Sequence, residues 1–214
     1  MNNTTTVVIC CAGMGTRLGI GLPKTLVSIN NKPLIIYLLE LLDNFNDIRI
    51  VVGFQAEKII NIVNEYRKDI TFVFNYDYET TGPATSLTKA LIGANKTIIS
   101  IGGDILITKE EFEKIVRMKE CIAYSDVTSS SPTFIKIQDN KVINIGNAGQ
   151  FEWQGILKID KNKLIDGKGY IYEMIQHNLP IEGIYVKSRE IDSQEDYDNA
   201  VLFYNNEFNN KEEK

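Results

Sequence analysis

The chain has 214 residues, of which 43% are hydrophobic and 24% charged, proportions that are ordinary for a globular protein and exclude a fibrous or strongly disordered chain. This length suits one buried core, so we expect a single domain over residues 1–208 followed by a frayed polar tail at 209–214. The formal net charge of −5 argues against a nucleic-acid partner, because duplex binding depends on clustered Lys and Arg side chains.

Cysteine spacing and hydrophobicity along the chain argue against several further classes of protein. Cys10, Cys11 and Cys121 form no CxxC pair, which argues against a structural zinc site or a disulfide framework. The first six residues lack the basic and apolar regions of a signal peptide, and no apolar run approaches the ~20 residues that a membrane helix needs. We expect a cytoplasmic protein without a membrane partner, and its oligomeric state stays open between monomer and homodimer.

Strand and helix patterns alternate through the first half of the chain. The predicted strands are residues 5–11, 48–52, 71–74 and 97–101, and the predicted helices are residues 34–42, 56–66, 86–94 and 112–118. Short connections between them predict an α/β fold with a Rossmann-like, mostly parallel central sheet flanked by helices on both faces. In such sheets ligands bind beyond the carboxyl ends of the strands.

The second half has a different pattern. Residues 133–138 and 142–145 flank the turn pair Asp139–Asn140 and predict a small β-hairpin excursion. A strand at 155–159, a helix at 170–177 and a strand at 184–187 follow. The final helix is predicted to start at Ser193, with Asp196 completing an acidic variant of a capping box.

The loop after the first strand carries the most specific chemical signal. Its glycines allow a ligand to approach the backbone closely, and consecutive amides in such a turn cradle phosphate oxygens. Arg17 adds a bidentate cation and Lys24 a mobile one, so the loop suits a triphosphate. The residues predicted to line the phosphates are Ala12, Gly13, Met14, Gly15 and Thr16.

Two other phosphate-binding loops fit the sequence poorly. A P-loop needs a Gly-Lys-Ser/Thr sequence, which occurs nowhere in the chain. A dinucleotide fingerprint needs GxGxxG, but Leu18 occupies the third glycine position and residues 28–32 contain no acidic residue. A redox dehydrogenase is therefore disfavoured.

The segment AGMGTRLGIGLPK resembles the signature of the sugar-phosphate and alcohol-phosphate nucleotidyltransferases, a family within the MobA-like NTP transferase superfamily. The resemblance implies a nucleotide-diphospho-sugar transferase fold and a Mg²⁺-dependent transfer of a nucleoside monophosphate from an NTP to a small phosphorylated acceptor, with release of pyrophosphate. It implies catalytic roles for Arg17, on the β- and γ-phosphates, and for Lys24, near the α-phosphate.

Two carboxylates match the family's metal-binding positions. Asp104 ends the sequence Gly102-Gly103-Asp104 after the fourth predicted strand, and Gly103 would bring the backbone close to the nucleotide. Asp192 lies in EIDSQED, which resembles the family's E-I-D-[ST]-x-E-D segment. The resemblance implies that Asp104 and Asp192 hold the Mg²⁺ ion.

Base and acceptor contacts are also implied by the resemblance. The loop at 75–87 matches the one that contacts the nucleobase, so Gly82, Thr85 and Ser86 are candidates. Glu152 and Trp153 lie where relatives contact the acceptor and would form a cation–π box for a quaternary ammonium group, joined by aromatic residues. The aromatic candidates are Tyr76, Tyr78 and Tyr172, whereas the single histidine, His177, is interpreted as structural.

The short chain, the VFN-x-x-Y pattern at residues 73–78 and the EIDS segment are most similar to bacterial cytidylyltransferases acting on phosphocholine and similar alcohol phosphates, which favours CTP. Synthesis of cell-surface polysaccharide precursors is a family-level expectation. The enzymatic alternatives are sugar-1-phosphate uridylyl-, thymidylyl- or guanylyltransferases. The non-enzymatic alternative is a catalytically silent regulatory module of the same fold.

Overall fold

A computed structural model describes residues 2–208, with side chains from residue 4 onward, and the predicted tail at 209–214 lies outside the described residues. The five α-helices in this range are α1 (Leu34–Glu40), α2 (Ala56–Tyr66), α3 (Pro83–Ala90), α4 (Lys109–Arg117) and α5 (Gln194–Glu207). The strands are β1 (Asn2–Cys11), β2 (Ser28–Ile29), β3 (Lys32–Pro33), β4 (Phe45–Val52), β5 (Ile70–Phe74), β6 (Thr97–Gly102), β7 (Ile105–Ile107), β8 (Cys121–Ser125), β9 (Phe134–Gln138), β10 (Lys141–Gly146), β11 (Phe151–Asp160), β12 (Ile181–Tyr185) and β13 (Ser188–Glu190).

A nine-stranded sheet in the order β5-β4-β1-β6-β11-β8-β12-β10-β9 forms the centre of the fold. The first four strands of this order run parallel, with Ile9 of β1 paired to Ile50 on one side and Ile101 on the other. A parallel sheet is covered on both faces, which explains why β1 is apolar at successive positions rather than alternating. The predicted α/β class is confirmed.

Successive residues of β1 enter different cores because side chains alternate across a strand. Val7 and Ile9 join the core formed with helices α1, α2 and α4, whereas Val8 packs with α3 on the opposite face. These side chains are fully buried. Burial of each such valine or isoleucine contributes roughly 1.5–3 kcal/mol, so the central strand is strongly fixed.

The second half is a mixed sheet. Strand β11 runs antiparallel to both β6 and β8, and β9 pairs with both β10 and β11. The predicted hairpin is present, and positive φ angles at Asp139 (49°) and Asn140 (60°) match a tight two-residue turn. The short strands β2, β3, β7 and β13 were not predicted, and neither was β8.

Two predicted helices differ from the structure. The helix predicted at 170–177 is wrong, since this segment consists of two 3₁₀ turns, Ile171–Met174 and Gln176–Asn178. Pro180 disfavours helical geometry at Leu179, so a helix in this segment could not extend to the proline. Helix α3 begins at Pro83, so Ser86 lies in its first turns and does not cap it.

The α5 capping box was predicted correctly. Ser193 Oγ accepts a hydrogen bond from the Asp196 amide, and Asp196 Oδ2 accepts one from the Ser193 amide. Within residues 2–208, no helix is both long enough and apolar enough to cross a membrane.

The loop before α3 is hydrogen-bonded to the segment that precedes the 3₁₀ turn at Ile171–Met174. The Gly82 amide donates to the Lys168 carbonyl at 2.7 Å, and the Ala84 amide donates to the Gly169 carbonyl at 3.0 Å. A Cβ atom on Gly82 would lie 2.2 Å from the Gly169 carbonyl oxygen. Only glycine therefore allows the two segments to approach this closely.

We predict that Gly82→Ala lowers the free energy of unfolding by about 1–3 kcal/mol, because the added methyl group meets backbone rather than a movable side chain. Urea denaturation measures the change. Gly146→Ala is the matched control, since a Cβ there meets nothing within 4 Å, and its effect should stay within about 0.5 kcal/mol. Equal stability of the two variants would contradict the proposed close packing.

Candidate active site

A cleft of about 570 Å³ opens at the carboxyl ends of β1 and β6, where the predicted phosphate loop and Asp104 both lie. This size suits a small-molecule ligand. The predicted site residues on its wall are Ala12, Gly13, Gly15, Thr16, Arg17, Lys24, Gly82, Ser86, Gly103, Asp104, Trp153 and Asp192. Met14, Thr85 and Glu152, which were also predicted, do not line it.

The phosphate loop is shaped by Gly15 and by short 3₁₀ turns at Thr16–Leu18 and Lys24–Leu26. Gly15 has φ 61°, and a Cβ atom there would lie 2.7 Å from Lys24 Cγ. Both the backbone conformation and the space for Lys24 therefore favour glycine. Lys24 consequently extends past Gly15 into the cleft.

Three carboxylates lie close together on the wall of the cleft, and two of them, Asp104 and Asp192, contact Lys24. Asp104, Glu190 and Asp192 each offer an oxygen, and these oxygens lie within 4.8 Å of one another. A backbone hydrogen bond of 3.0 Å from the Ile191 amide to the Asp104 carbonyl ties the turn carrying Asp192 to the second residue after β6. Pairing of β13 with β7 places Glu190 opposite Ile105 and completes the cluster.

Two cations lie on this cluster. Lys24 Nζ is 3.1 Å from Asp104 Oδ2 and in direct contact with Asp192 Oδ1. Arg17 Nη2 is 2.8 Å from Asp192 Oδ2, although most of the Arg17 side chain is exposed. The predicted catalytic cations thus touch the predicted metal ligands, and both remain close to open space in the cleft.

Glu190 was not predicted as a site residue. Burial, followed by the negative charge of Asp104, raises the pKa of Glu190 to about 8, although Lys24 and Arg17 act in the opposite direction. Glu190 is therefore largely neutral at pH 7. The spacing of Glu190 and Asp192 contained the missing signal, because residues i and i+2 of an extended segment face the same side.

The cluster fits a divalent cation by its chemistry. Hard oxygen donors from carboxylates are the ligands that Mg²⁺ takes in proteins. Asp192 Oδ1 is buried and accepts no hydrogen bond within the described part of the chain, its contact with Lys24 being an ion pair. Such an atom is available as a metal ligand once the ammonium group moves.

The wall formed by the β5–α3 loop is polar and well ordered by internal hydrogen bonds. The Asn75 amide group, 1% exposed, donates to Thr81 Oγ1 and Ser86 Oγ, both at 3.1 Å, and its oxygen accepts from the Asp77 amide. Thr85 differs from the prediction, because its hydroxyl donates to the Gly167 carbonyl at 3.3 Å rather than lining the cleft. Asn75 was not predicted as a site residue.

Aromatic side chains form another part of the wall, which we call the aromatic wall. Trp153 lies 7% exposed on the cleft, its indole nitrogen donating to the Ile156 carbonyl at 3.2 Å. The rings of Trp153 and Tyr172 form a T-shaped pair with their centroids 6.0 Å apart. Tyr170 stacks on Tyr172 with a centroid distance of 5.4 Å. Tyr78 also lines the cleft, whereas Tyr76 stacks on Phe74 outside it.

The acceptor-binding prediction for Glu152 is corrected by the structure. Its side chain is 1% exposed and is enclosed by hydrogen bonds from residues 125–129 and Gln154. Glu152 and Trp153 are neighbours in β11, so they point to opposite faces of the strand. Only Trp153 reaches the cleft.

We predict that Glu190 makes the metal-free protein less stable as pH rises. The unfolded chain loses this proton near the ordinary glutamate pKa, whereas the folded protein keeps it up to about pH 8. Between these values the folded state binds more protons, so its free energy of unfolding falls with pH by up to about 1.4 kcal/mol per unit. Urea denaturation at pH 5, 6, 7 and 8 measures the slope.

Glu190→Gln should remove this contribution, so the stability difference between the variant and the unmodified protein should change steadily over that pH range. The comparison is made in the presence of a chelator, since a bound cation would itself lower the carboxylate pKa. A pH-independent difference would contradict the neutral state assigned to Glu190.

Comparisons with known proteins indicate the family and the fold of the chain. A profile of the MobA-like NTP transferase domain matches residues 7–127. The bifunctional protein GlmU of Methanococcus maripaludis is 32% identical over 145 residues, a match that covers 64% of this chain and 34% of that protein. The chain therefore spans about a third of the length of this relative.

Two solved structures have a similar fold. The CTP:phosphocholine cytidylyltransferase of Streptococcus pneumoniae is 26% identical, with a TM-score of 0.78 over 94% of this chain and 99% of that one. A putative glucose-1-phosphate thymidylyltransferase of Bacillus anthracis has a TM-score of 0.79 over 94% of this chain and 96% of that one. Its identity of 16% makes this a likeness of fold alone.

Proposed function

Because the chain belongs to the family of MobA-like NTP transferase domains, we propose that it transfers CMP from CTP to a small phosphomonoester and releases pyrophosphate. One observation carries the proposal. The phosphate loop after β1 faces a cluster of three carboxylates, and the two cations of that loop already touch the cluster. A catalytically silent module would not require this set of groups.

The phosphates of the nucleotide would lie over residues 12–17. Backbone amides of this loop and the Arg17 guanidinium group would hold the β- and γ-phosphates, since a planar guanidinium binds two phosphate oxygens at once. Lys24 would move a short distance from the carboxylates to the α-phosphate. This arrangement would bring positive charge to the phosphates, where negative charge increases during the reaction.

Asp104, Glu190 and Asp192 would hold Mg²⁺, which supplies charge neutralisation for phosphate oxygens when bound. An acceptor phosphate oxygen forms a bond to the α-phosphorus while the bond to the pyrophosphate oxygen breaks, and its electrons leave with pyrophosphate. A phosphomonoester is largely a dianion near neutral pH, so no general base is needed. The protein's contribution is positioning and charge stabilisation.

The polar wall would receive the nucleobase. Gly82 and Ser86 lie on the cleft, and the Asn75 amide holds Ser86 Oγ in place. A base edge contacts backbone and small hydroxyl groups in such a wall. The preference for CTP is supported by the similarity to the pneumococcal CTP:phosphocholine cytidylyltransferase over nearly its whole length.

The aromatic wall would receive the acceptor. Trp153, Tyr170 and Tyr172 bring three rings together on the wall of the cleft, with Tyr170 mostly exposed. Ring faces attract a quaternary ammonium group, most strongly on tryptophan. Phosphocholine is therefore the proposed acceptor. A sugar 1-phosphate is the second candidate, supported by the fold shared with the putative thymidylyltransferase.

We predict pyrophosphate release with CTP and phosphocholine when CTP, UTP, dTTP and GTP are each tested against phosphocholine and glucose 1-phosphate in the presence of Mg²⁺. Lys24→Met should lower kcat by about 10²–10³-fold, because the charge that stabilises the α-phosphate in the transition state is lost. Coupled pyrophosphate detection measures both effects.

Lys96→Met is the matched control, since Lys96 is an exposed lysine whose partner is Asp160 at the opposite end of β11. Its turnover should equal that of the unmodified protein. Unchanged kcat in Lys24→Met would overturn the catalytic role of this lysine. A preference for UTP or dTTP with glucose 1-phosphate would replace the proposed substrates with the second candidate pair.

A further inference from the structure

Two buried carboxylates outside the metal cluster are held by the same surface loop. Glu152 is 1% exposed and Asp196 is 2% exposed, and neither forms an ion pair within residues 4–208. Each carboxylate accepts hydrogen bonds from residues 128–130. We call residues 126–133, which connect β8 to β9, the serine loop.

Glu152 holds the first part of the serine loop. Its Oε1 accepts from Thr128 Oγ1 at 2.8 Å, and its Oε2 accepts from the Ser129 amide at 3.1 Å and from Ser129 Oγ at 2.8 Å. Gln154 Nε2 also donates to Oε1, and Gln154 is itself fixed by Ser188 Oγ at 2.6 Å. The carboxylate is therefore a rigid anchor with several donors, which is how an unpaired buried charge is tolerated.

Asp196 holds the next residue and links it to the metal cluster. Its Oδ1 accepts from the Ser130 amide at 3.0 Å, and its Oδ2 accepts from Ser130 Oγ at 3.1 Å. The same Oδ2 accepts from the amides of Asp192 and Ser193, at 3.2 and 2.9 Å. One carboxylate thus joins the serine loop to the turn that carries Asp192.

The end of the serine loop is fixed to the aromatic wall. The Trp153 amide donates to the Thr133 carbonyl at 2.8 Å. Between this contact and Ser130, the residues Ser131, Pro132 and Thr133 line the cleft. The anchored loop consequently lies between the turn of Asp192 and the aromatic ring of Trp153.

We propose that Glu152 and Asp196 are positioning residues that hold the serine loop as the preformed acceptor-side wall of the cleft. This inference rests on the proposed function for its substrate. The phosphate of the acceptor must approach the metal cluster while its other end contacts the aromatic wall, and the serine loop spans that interval. A loop that is ordered in advance lowers the entropic cost of acceptor binding.

Amide hydrogen exchange tests the anchoring without any assumption about activity. Glu152→Gln should increase exchange at the Ser129 amide, and Asp196→Asn should increase it at the Ser130 amide, each by about tenfold or more, because the charged acceptor is lost. Glu120→Gln is the matched control, since Glu120 accepts from the Asp160 amide at the far end of β11. Unchanged exchange at Ser129 and Ser130 would overturn the proposal.

Steady-state kinetics tests the positioning role. Glu152→Gln should raise the KM for phosphocholine by about tenfold and leave the KM for CTP unchanged, because only one wall is loosened. Asp196→Asn should also lower kcat, since Asp196 supports the Asp192 turn. Equal increases in both KM values would indicate a general structural role and overturn the inference.

Ser129→Ala provides a variant that keeps both carboxylates in case either substitution prevents folding. Ser129 Oγ is one of four donors to Glu152 within 3.1 Å, so its removal should raise the KM for phosphocholine by about threefold, with CTP unaffected. The double variant with Glu152→Gln should be no worse than Glu152→Gln alone, because both act through one contact. Additive increases in the KM for phosphocholine would show that the two substitutions do not act through one contact. A lack of turnover in the unmodified protein would refute the proposed function, and the amide exchange measurement would then decide whether the two carboxylates anchor the serine loop.

Discussion

The contact of one ammonium group with two carboxylates from distant parts of the chain is the interaction on which the site depends. Lys24 follows β1, Asp104 follows β6 and Asp192 follows β13. Two carboxylates within 4.8 Å repel each other by on the order of 3 kcal/mol at an effective dielectric constant of about 20. Lys24 and Arg17 offset this repulsion in the free protein, and the neutral form of Glu190 avoids adding to it.

The parallel half of the sheet supports this charge cluster. Fully buried residues on both faces of β1 pack closely, so the loops that follow β1 and β6 start from a well-fixed edge. The strands deliver Lys24 and Asp104 to one edge because parallel strands end on the same side. The mixed half of the sheet then adds Trp153 and the serine loop to the wall of the cleft.

Local patterns were sufficient to bring most of the predicted nucleotide-binding residues to one cleft, although Met14 and Thr85 do not line it. The glycine spacing around Gly15, the position of Asp104 after a strand and the EIDSQED segment are each contained in a few neighbouring residues. The first four long strands were likewise visible as short apolar runs. These features need no knowledge of long-range pairing, which is why the structure has them where they were expected.

The second half depends on pairing that the sequence does not display. Strand β8 was missed because its alignment with β11 and β12 decides its conformation, and the segment at 170–177 had helical spacing but formed 3₁₀ turns. Glu152 was assigned to the acceptor with Trp153 because both lie where relatives contact the acceptor, yet strand alternation turns the two side chains apart. Its partners, Thr128 and Ser129, become visible only once β8 and β11 are paired.

The most direct measurement is an anomalous-scattering map from crystals grown with Mn²⁺ and a CTP analogue that resists cleavage between the α- and β-phosphates. The account predicts a Mn²⁺ peak among the carboxylate oxygens of Asp104, Glu190 and Asp192. It also predicts that the phosphates lie over residues 12–17 and that Lys24 Nζ contacts a phosphate oxygen instead of the carboxylates. A Mn²⁺ peak away from these carboxylates, or a triphosphate bound outside that loop, would contradict it.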